Sequence, residues 1–365
     1  MKKHILLLCL ITILMITACS TSVSVSYMRP SNVNTGSYRN LAIASTVPFS
    51  GKLSYPQFVR YIDINSSKIT ISTSYSRTLP KDVSSYATKR LVSTLSNTGY
   101  FNILSPQQTD KYLNLSSIGY NPSKELLSAG YDAVMIPKIE YMDIDEYIGS
   151  MTVKFTVDAD GIKQPVLEFY IKRVANITYS ITIIDCKTEK IVSKRTYKDS
   201  IELEEDFNPK SPVFSYDGYY LFTSMLNGFQ SDILADYVPA RIVDRLTLMS
   251  NKPKIESLKI AYEYADQGAM QSAYELFLDE WNNSGHIPSG YNAALLLSSM
   301  GNYDGALSLL EEMMATTVNG NVERLYRGLL RRKASTAEAD KQISGEAPNP
   351  EISQGFTIYD YVMNT

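Results

Sequence analysis

The sequence has few of the side chains that enzymes use for acid–base or metal chemistry. Its 365 residues include only 2 histidines, and the first, His4, lies in an N-terminal segment that we expect to be removed. Histidine is the usual general acid or base near neutral pH and a common metal ligand. His286 falls in a polar loop, as surface histidines typically do. The chain also lacks a nucleophile elbow, a phosphate loop and a dinucleotide fingerprint. We therefore expect no enzyme activity, no catalytic residue, no metal and no cofactor.

The low number of cysteines and the lack of excess positive charge exclude disulfide-stabilised and nucleic-acid-binding proteins. Cys9 lies in the N-terminal apolar segment and Cys19 follows that segment after two further residues, so Cys186 is the single thiol expected inside the fold. One thiol forms no intrachain disulfide, and we expect Cys186 to be a small buried hydrophobe on a strand. The net charge of -3 lacks the basic excess of nucleic-acid-binding proteins, so no nucleic-acid partner is expected.

A secretion signal occupies the first residues. Lys2 and Lys3 give a positive start, and an almost unbroken apolar run of 12 residues extends from Ile5 to Ile16. The run is too short to span a bilayer, and small residues follow it, as in a secretory signal peptide. The order Ile16-Thr17-Ala18-Cys19 resembles the bacterial lipobox, in which the cysteine sulfur receives a diacylglycerol and the chain is cut before it. An ordinary signal peptide with an incidental cysteine is the alternative.

The lipobox resemblance implies a location. It implies a signal peptide over 1–18 and lipid on Cys19, which would hold a folded protein at a membrane without a transmembrane helix. Ser20 stands where an aspartate would retain such a lipoprotein in the inner membrane. We therefore expect the protein in the bacterial cell envelope, on the outer membrane and facing the periplasm.

The rest of the chain divides into a tether, two folded parts and a tail. Residues 19–37 are rich in Ser, Thr and Asn and predict a lipidated tether that ends in a short extended segment. Residues 38–250 alternate strand and helix patterns, residues 251–333 predict helical repeats, and residues 334–365 predict a mostly disordered tail. The expected fold class is α+β, with a mixed sheet flanked by helices and followed by an all-α helical-repeat segment.

Local patterns give more detail within residues 38–250. The residues Val83, Ala87, Leu91 and Leu95 repeat every four positions and predict one amphipathic helix. Alternating apolar residues predict two separate hairpins, followed by an acidic loop and two helices, the second beginning at Pro239 and including Val243 and Leu246. The two hairpins comprise residues 151–171 and 177–197, the loop Glu202–Asp206, and the first of the two helices residues 219–237.

The last third of the chain contains an internal repeat. Ala261, Tyr264, Gly268, Ala273 and Phe277 recur about 33 residues later as Ala294, Leu297, Gly301, Ala306 and Leu310. A glycine between two helices and a small residue early in the second resemble tetratricopeptide repeats. The sequence departs from that family at Gly290, where a tryptophan is usual. An unrelated pair of helical hairpins is the alternative.

Short apolar motifs in the α/β region resemble the curli-secretion lipoprotein family and its relatives, which include the lipoprotein activators of penicillin-binding proteins. The resemblance covers roughly residues 38 to 205 and implies a mixed sheet flanked by helices, with no catalytic residues to carry over. The first motif is the strand Leu41–Val47 before Pro48-Phe49. The second is the helix segment Leu91–Leu95, which leads through Gly99 into the strand of Gly99–Leu104. The third is a central strand with its hairpin, in Ala129–Val134, Ile183–Asp185 and Glu189–Val192.

These patterns together predict a non-catalytic adaptor. The lipid would hold the protein at the membrane, and the repeats would bind a protein partner in a concave groove. Trp281 and Tyr291 are candidate aromatic anchors for that partner, although packing in the core explains both equally well. The oligomeric state stays open.

Two other functions remain open at this stage. The first is an oligomeric secretion-pore subunit of the outer membrane, formed by amphipathic hairpins; the expected strands fall short of the 9–11 residues that a membrane span requires. The second is a hydrolase with an unrecognised carboxylate site. Two acidic clusters could also bind Ca²⁺, although neither has the spacing of a calcium loop and solvated charge is the simpler interpretation: Asp143, Asp145 and Glu146, and Glu202, Glu204, Glu205 and Asp206.

Overall fold

A computed structural model describes residues 21–51, 53, 60–64, 67–71, 78–207 and 218–345. The expected signal peptide, the lipidation site Cys19 and residues 346–365 of the expected tail lie outside the described residues.

The described chain alternates strands and helices before it becomes helical. The strands are β1 (Ser22–Arg29), β2 (Asn40–Ile43), β3 (Arg60–Ile64), β4 (Ser67–Ile71), β5 (Asn102–Leu104), β6 (Ala133–Val157), β7 (Lys163–Asp185), β8 (Ile191–Phe207) and β9 (Ala240–Thr247). The helices are α1 (Leu79–Ser96), α2 (Pro106–Asn114), α3 (Pro122–Ser128), α4 (Tyr219–Gly228), α5 (Gln230–Tyr237), α6 (Lys259–Asp266), α7 (Met270–Ser284), α8 (Ile287–Ser299), α9 (Tyr303–Thr316) and α10 (Gly320–Ser344). Among these described helices, none combines the length and the apolar character needed to cross a bilayer.

The chain forms two units. Among the described residues, the first comprises those within 21–31 and 239–344, and the second comprises those within 32–238 with 345. These boundaries differ from the expected ones, because the segment taken for a tether is built into both units: Val23 and Val25 are buried in the first, and Val33 and Thr35 are buried in the second.

The second unit contains a five-stranded mixed sheet in the order β5-β2-β6-β7-β8. β2 is parallel to β5 and β6, whereas the β6–β7 and β7–β8 pairs are antiparallel. Alternate residues of β2 face opposite sides. Leu41 and Ile43 pack with the apolar face of α1 and with α4, and Ala42 packs on the other side with Leu126 of α3. The α+β fold class and the mixed sheet flanked by helices are thus confirmed.

The strands at one side of this sheet are much longer than the sequence suggested. β6 has 25 residues, β7 has 23 and β8 has 17. The two expected hairpins share β7 as one continuous strand, because no Gly or Pro cluster interrupts residues 139–150 or 171–176 and the turns lie beyond the strand ends, at 158–162 and 186–190. Glu202–Asp206, expected as a loop, is part of β8 and pairs with β7.

The first unit begins with a two-stranded antiparallel ribbon of β1 and β9. The helix expected through Val243 and Leu246 is wrong, because residues 240–247 alternate between half-buried and exposed, the period of a strand. Val23, Val25 and Leu246 pack on the helices of this unit. The partner strand lies at the other end of the sequence, so local pattern alone left helix and strand undecided.

Helices α6 to α9 form two helical hairpins, with the left-handed Gly268 and Gly301 between paired helices. Ala273 and Ala306 are fully buried at the expected close approaches. α10 continues through Ser344, where we expected disorder from residue 334. The reason is burial: Gln342, which is 3% exposed, bonds the backbone of Ser31, an interaction that the polar sequence does not reveal.

Candidate functional site

An open groove of about 720 Å³ lies in the first unit. One wall is a single face of α10, whose lining residues recur at helical spacing. The other wall is formed by the inward side of the β1–β9 ribbon and by α8. The lining residues are Asn321, Arg324, Leu325, Gly328, Arg331, Arg332 and Ser335 on α10, Tyr27, Asp244 and Leu246 on the ribbon, and Tyr291 on α8.

Gly328 keeps the middle of the helical wall open. A Cβ at this position would lie 2.9 Å from Nη1 of Arg332. Arg332 is held across the groove by Asp244, whose Oδ2 accepts hydrogen bonds from Nη2 at 2.7 Å and Nε at 3.1 Å. A side chain at Gly328 would therefore narrow the groove and require the guanidinium of Arg332 to shift.

The groove carries an excess of positive charge. Its lining includes three arginines and one aspartate. Asp244 compensates Arg332, but within the described part of the chain Arg324 and Arg331 form no ion pair. Arg324 donates to the carbonyl of Gly320 at 3.1 Å, and Nε of Arg331 donates to the carbonyl of Arg327 at 3.3 Å. Both guanidinium groups are on exposed residues, so they can donate further bonds to a ligand.

Two tyrosines face this charge. The ring of Tyr27 lies 5.7 Å from the guanidinium carbon of Arg332, within the range of a cation–π contact. Burial raises the pKa of Tyr291 above its ordinary value, and the neighbouring Arg324 partly opposes the shift. Tyr291 is therefore a neutral hydrogen-bonding and stacking group at neutral pH.

The structure separates the two expected aromatic anchors. Tyr291 lines the groove, whereas Trp281 is 8% exposed and belongs to the core of the first unit. A Cβ added to Gly290 would lie 2.9 Å from Cδ2 of Trp281 and 2.8 Å from Cε of Met313. The missing side chain at Gly290 thus makes room for the indole of the preceding helix, and Trp281 is a packing residue.

His286 and Cys186 are both buried. His286, expected at the surface, is 6% exposed; its Nδ1 lies 2.8 Å from the Ser289 hydroxyl and its Nε2 lies 3.1 Å from the Pro253 carbonyl. The position before α8 encloses the ring, which sequence polarity did not indicate. Burial raises the pKa of the Cys186 thiol to about 12, so the thiol is unreactive at neutral pH.

The two acidic clusters lie along strands. In the first, the Oδ2 of Asp143 accepts a hydrogen bond from the Tyr141 hydroxyl at 3.2 Å. In the second, Glu205 pairs with the buried Arg173, and Glu202 pairs with Lys172. Among the residues that the structure describes, no three His, Cys, Asp or Glu side chains are grouped as a metal site.

The groove arginines were missed by sequence reasoning, although a signal was present. Arg324, Gly328, Arg331 and Ser335 are spaced three or four residues apart, which places them on one helix face. Leu325 and Leu329 dominate the apolar pattern of the same segment, so the sequence indicates the buried face of the helix and not its polar one. Tyr291 was a candidate from the sequence, whereas Asp244 and Tyr27 come from distant segments and could not be assigned beforehand.

Comparison with solved structures gives distant likenesses. No protein-family profile and no curated protein matches the sequence. A PelC dodecamer structure from Paraburkholderia phytofirmans is 9% identical over 59% of this chain and 96% of that chain, with a TM-score of 0.23. The lipoprotein GNA1162 from Neisseria meningitidis is 7% identical over 53% of this chain and 96% of that chain, also with a TM-score of 0.23. These TM-scores are too low for either likeness to indicate what this chain does.

Proposed function

We propose that this chain is a lipid-anchored, non-catalytic adaptor of the bacterial envelope, whose groove binds an acidic segment of a protein partner. One observation carries the proposal: Arg324 and Arg331 face the groove without a carboxylate partner in the described structure, beside Tyr27 and Tyr291. Arginine and tyrosine dominate the residues that contribute most to protein–protein binding energy.

The chemistry of the groove favours a carboxylate ligand. A guanidinium presents its donors in a fixed planar fork that matches a carboxylate bidentately. Because the groove is open to solvent, an extended or helical segment can lie in it with acidic side chains beside the arginines. The resemblance of α6–α9 to tetratricopeptide repeats supports the same task, since such repeats usually bind peptide segments.

The N-terminal sequence supports the location. The lipobox at residues 16–19 and Ser20 favour acylation of Cys19 and delivery to the periplasmic face of the outer membrane. Mass spectrometry of the mature protein purified from envelopes should find an acylated N-terminal cysteine. An unmodified amino terminus would remove the anchor from the proposal.

A photo-crosslinking amino acid tests the groove directly. Placed at Tyr291 in the lipidated protein within envelopes, it should give a discrete adduct with one protein. The matched control is Val318, which is fully exposed on the loop before α10 and outside the groove lining. Adducts of equal yield at the two positions, or none at Tyr291, would contradict a protein ligand in the groove.

The long hairpins favour one alternative function, an oligomeric secretion-pore subunit. β6, β7 and β8 have 25, 23 and 17 residues, so the earlier objection that the strands are shorter than the 9–11 residues of a membrane span is wrong. Conductance of the purified protein in a planar bilayer, with ring-shaped particles in detergent, would favour this alternative over the adaptor.

A further inference from the structure

The outward face of the β1–β9 ribbon is a basic surface next to the expected anchor. Residues directly opposite each other in the ribbon share a face: Ser24 pairs with Arg245, Ser26 with Val243, and Met28 with Arg241. Arg241, Val243 and Arg245 are all exposed, and Val243 is 57% exposed. None of the residues on this face of the two strands is acidic.

Burial of the inward face of the ribbon fixes which side chains point outward. Val23 and Val25 are almost fully buried against the helices of the first unit, so the strands cannot turn over. Arg241 donates from Nη2 to the Ser26 hydroxyl at 3.0 Å, which holds its side chain along the ribbon. Within the described residues, Arg241 and Arg245 form no ion pair. Both charges are thus presented to whatever lies outside the ribbon.

The short chain between Cys19 and β1 indicates that a membrane surface lies against this face of the ribbon. β1 begins at Ser22, and three residues of extended chain span roughly 10 Å at most. That distance is close to the Debye length of about 8 Å, over which exposed charges of the protein and the lipid headgroups attract each other at physiological ionic strength. If acyl chains on Cys19 enter a membrane, the start of β1 lies at the level of the lipid headgroups.

We infer that the outward face of this ribbon lies on the membrane, with Arg241 and Arg245 against anionic lipid headgroups and Val243 between them. The inference rests on the proposed acylation of Cys19. A lipid anchor and a basic surface are complementary, because the anchor supplies hydrophobic attachment and the arginines select anionic lipid and fix orientation.

The experiment uses the acylated protein in vesicles, with an environment-sensitive fluorophore on Val243→Cys. Cys186 is 2% exposed and remains unlabelled. Nitroxide-labelled lipid headgroups should quench this fluorophore in phosphatidylglycerol-containing vesicles several-fold more than the same fluorophore on Val318→Cys. Replacing Arg241 and Arg245 with Gln should shift the equilibrium away from the surface by roughly fivefold for each arginine. Arg327→Gln, an exposed arginine paired with Glu323 on α10, should have no effect.

The outcomes separate this inference from the proposed anchor. Protein that fails to co-sediment with vesicles and carries no acyl group contradicts the anchor itself. Protein that co-sediments, but whose position 243 is quenched no more than position 318, overturns the ribbon contact alone. Equal quenching in phosphatidylglycerol-containing and pure phosphatidylcholine vesicles overturns recognition of anionic headgroups.

Discussion

Arg332 and Asp244 join the two walls of the groove through a single carboxylate oxygen, which accepts from Nη2 at 2.7 Å and from Nε at 3.1 Å. The pair connects α10 to β9, and its side chains are 17% and 35% exposed. It therefore contributes to stability and also limits the positive charge available to a ligand.

Removing this carboxylate should weaken the fold and strengthen anion binding. Asp244→Ala should lower the free energy of unfolding by about 1.5–3 kcal/mol, the usual contribution of hydrogen bonds to charged groups. Because Arg332 is then free to bind a ligand, the variant should bind a fluorescent glutamate-rich peptide with higher affinity than the wild-type protein. Asp244→Asn keeps an acceptor and should lose less stability. Denaturant unfolding and peptide anisotropy measure the two effects, and unchanged peptide affinity would show that Arg332 does not face the ligand.

Arg324 and Arg331 should dominate that peptide affinity. Each replacement with Gln should weaken binding about tenfold, because a charge-assisted hydrogen bond contributes roughly 1.5 kcal/mol or more. The stability of the protein should stay nearly unchanged, since both arginines are exposed.

The control for these two variants is Arg327→Gln. Arg327 is on the same helix, is exposed and pairs with Glu323 outside the groove lining. It should leave peptide binding within twofold of wild type, a difference that corresponds to less than about 0.5 kcal/mol. Equal losses in all three variants would indicate a general charge effect without a defined groove site.

Trp281 should behave as a core residue. Trp281→Ala should lower the free energy of unfolding by about 3–5 kcal/mol through the cavity it leaves, as followed by circular dichroism in denaturant. Tyr291→Ala, which removes the other candidate anchor, should lose much less stability but weaken binding of the fluorescent glutamate-rich peptide. A stable Trp281→Ala protein that no longer captures its partner would restore Trp281 as an anchor.

Glu140 should make stability depend on pH. Partial burial acts to raise its pKa, but hydrogen bonds from Lys194 at 3.0 Å and Ser180 at 2.8 Å prevail and lower it below 4.5. The stabilisation is therefore present above pH 4.5 and is lost as pH falls through the lowered pKa.

Glu140→Gln tests this linkage. It should lower the free energy of unfolding by up to about 1 kcal/mol at neutral pH, as for other partly exposed ion pairs. The difference from wild type should disappear in acid. Glu168→Gln, which removes an exposed carboxylate from β7, is the control. A difference that persisted below the lowered pKa would assign the effect to packing.

Periodicity was informative wherever one face of an element is buried. It predicted α1 through Val83, Ala87, Leu91 and Leu95, all of which are buried. It failed for β9, because three- and two-residue spacings coexist in residues 240–247 and the deciding partner is β1. It also stopped β6 and β7 too early, since polar residues in an extended ladder resemble a loop.

The candidate site was less accessible to such reasoning. Tyr291 was proposed, but Tyr27 and Asp244 enter the groove from segments remote in sequence, and only the ribbon brings them beside α10. The sequence around Trp281 does not indicate whether its side chain is exposed or buried. The vacant side-chain position at Gly290 explains its burial only after α7 and α8 are packed.

The ribbon imposes an order of assembly. Ser26 and Arg241, which bond across it, are 215 residues apart, whereas residues 32–238 of the second unit are contiguous. A chain that emerges from its N-terminus can complete the second unit first, while β1 has no partner until β9 arrives. The strand made earliest therefore pairs only after the whole second unit has been synthesised, and only a chain that extends past β9 can close the first unit.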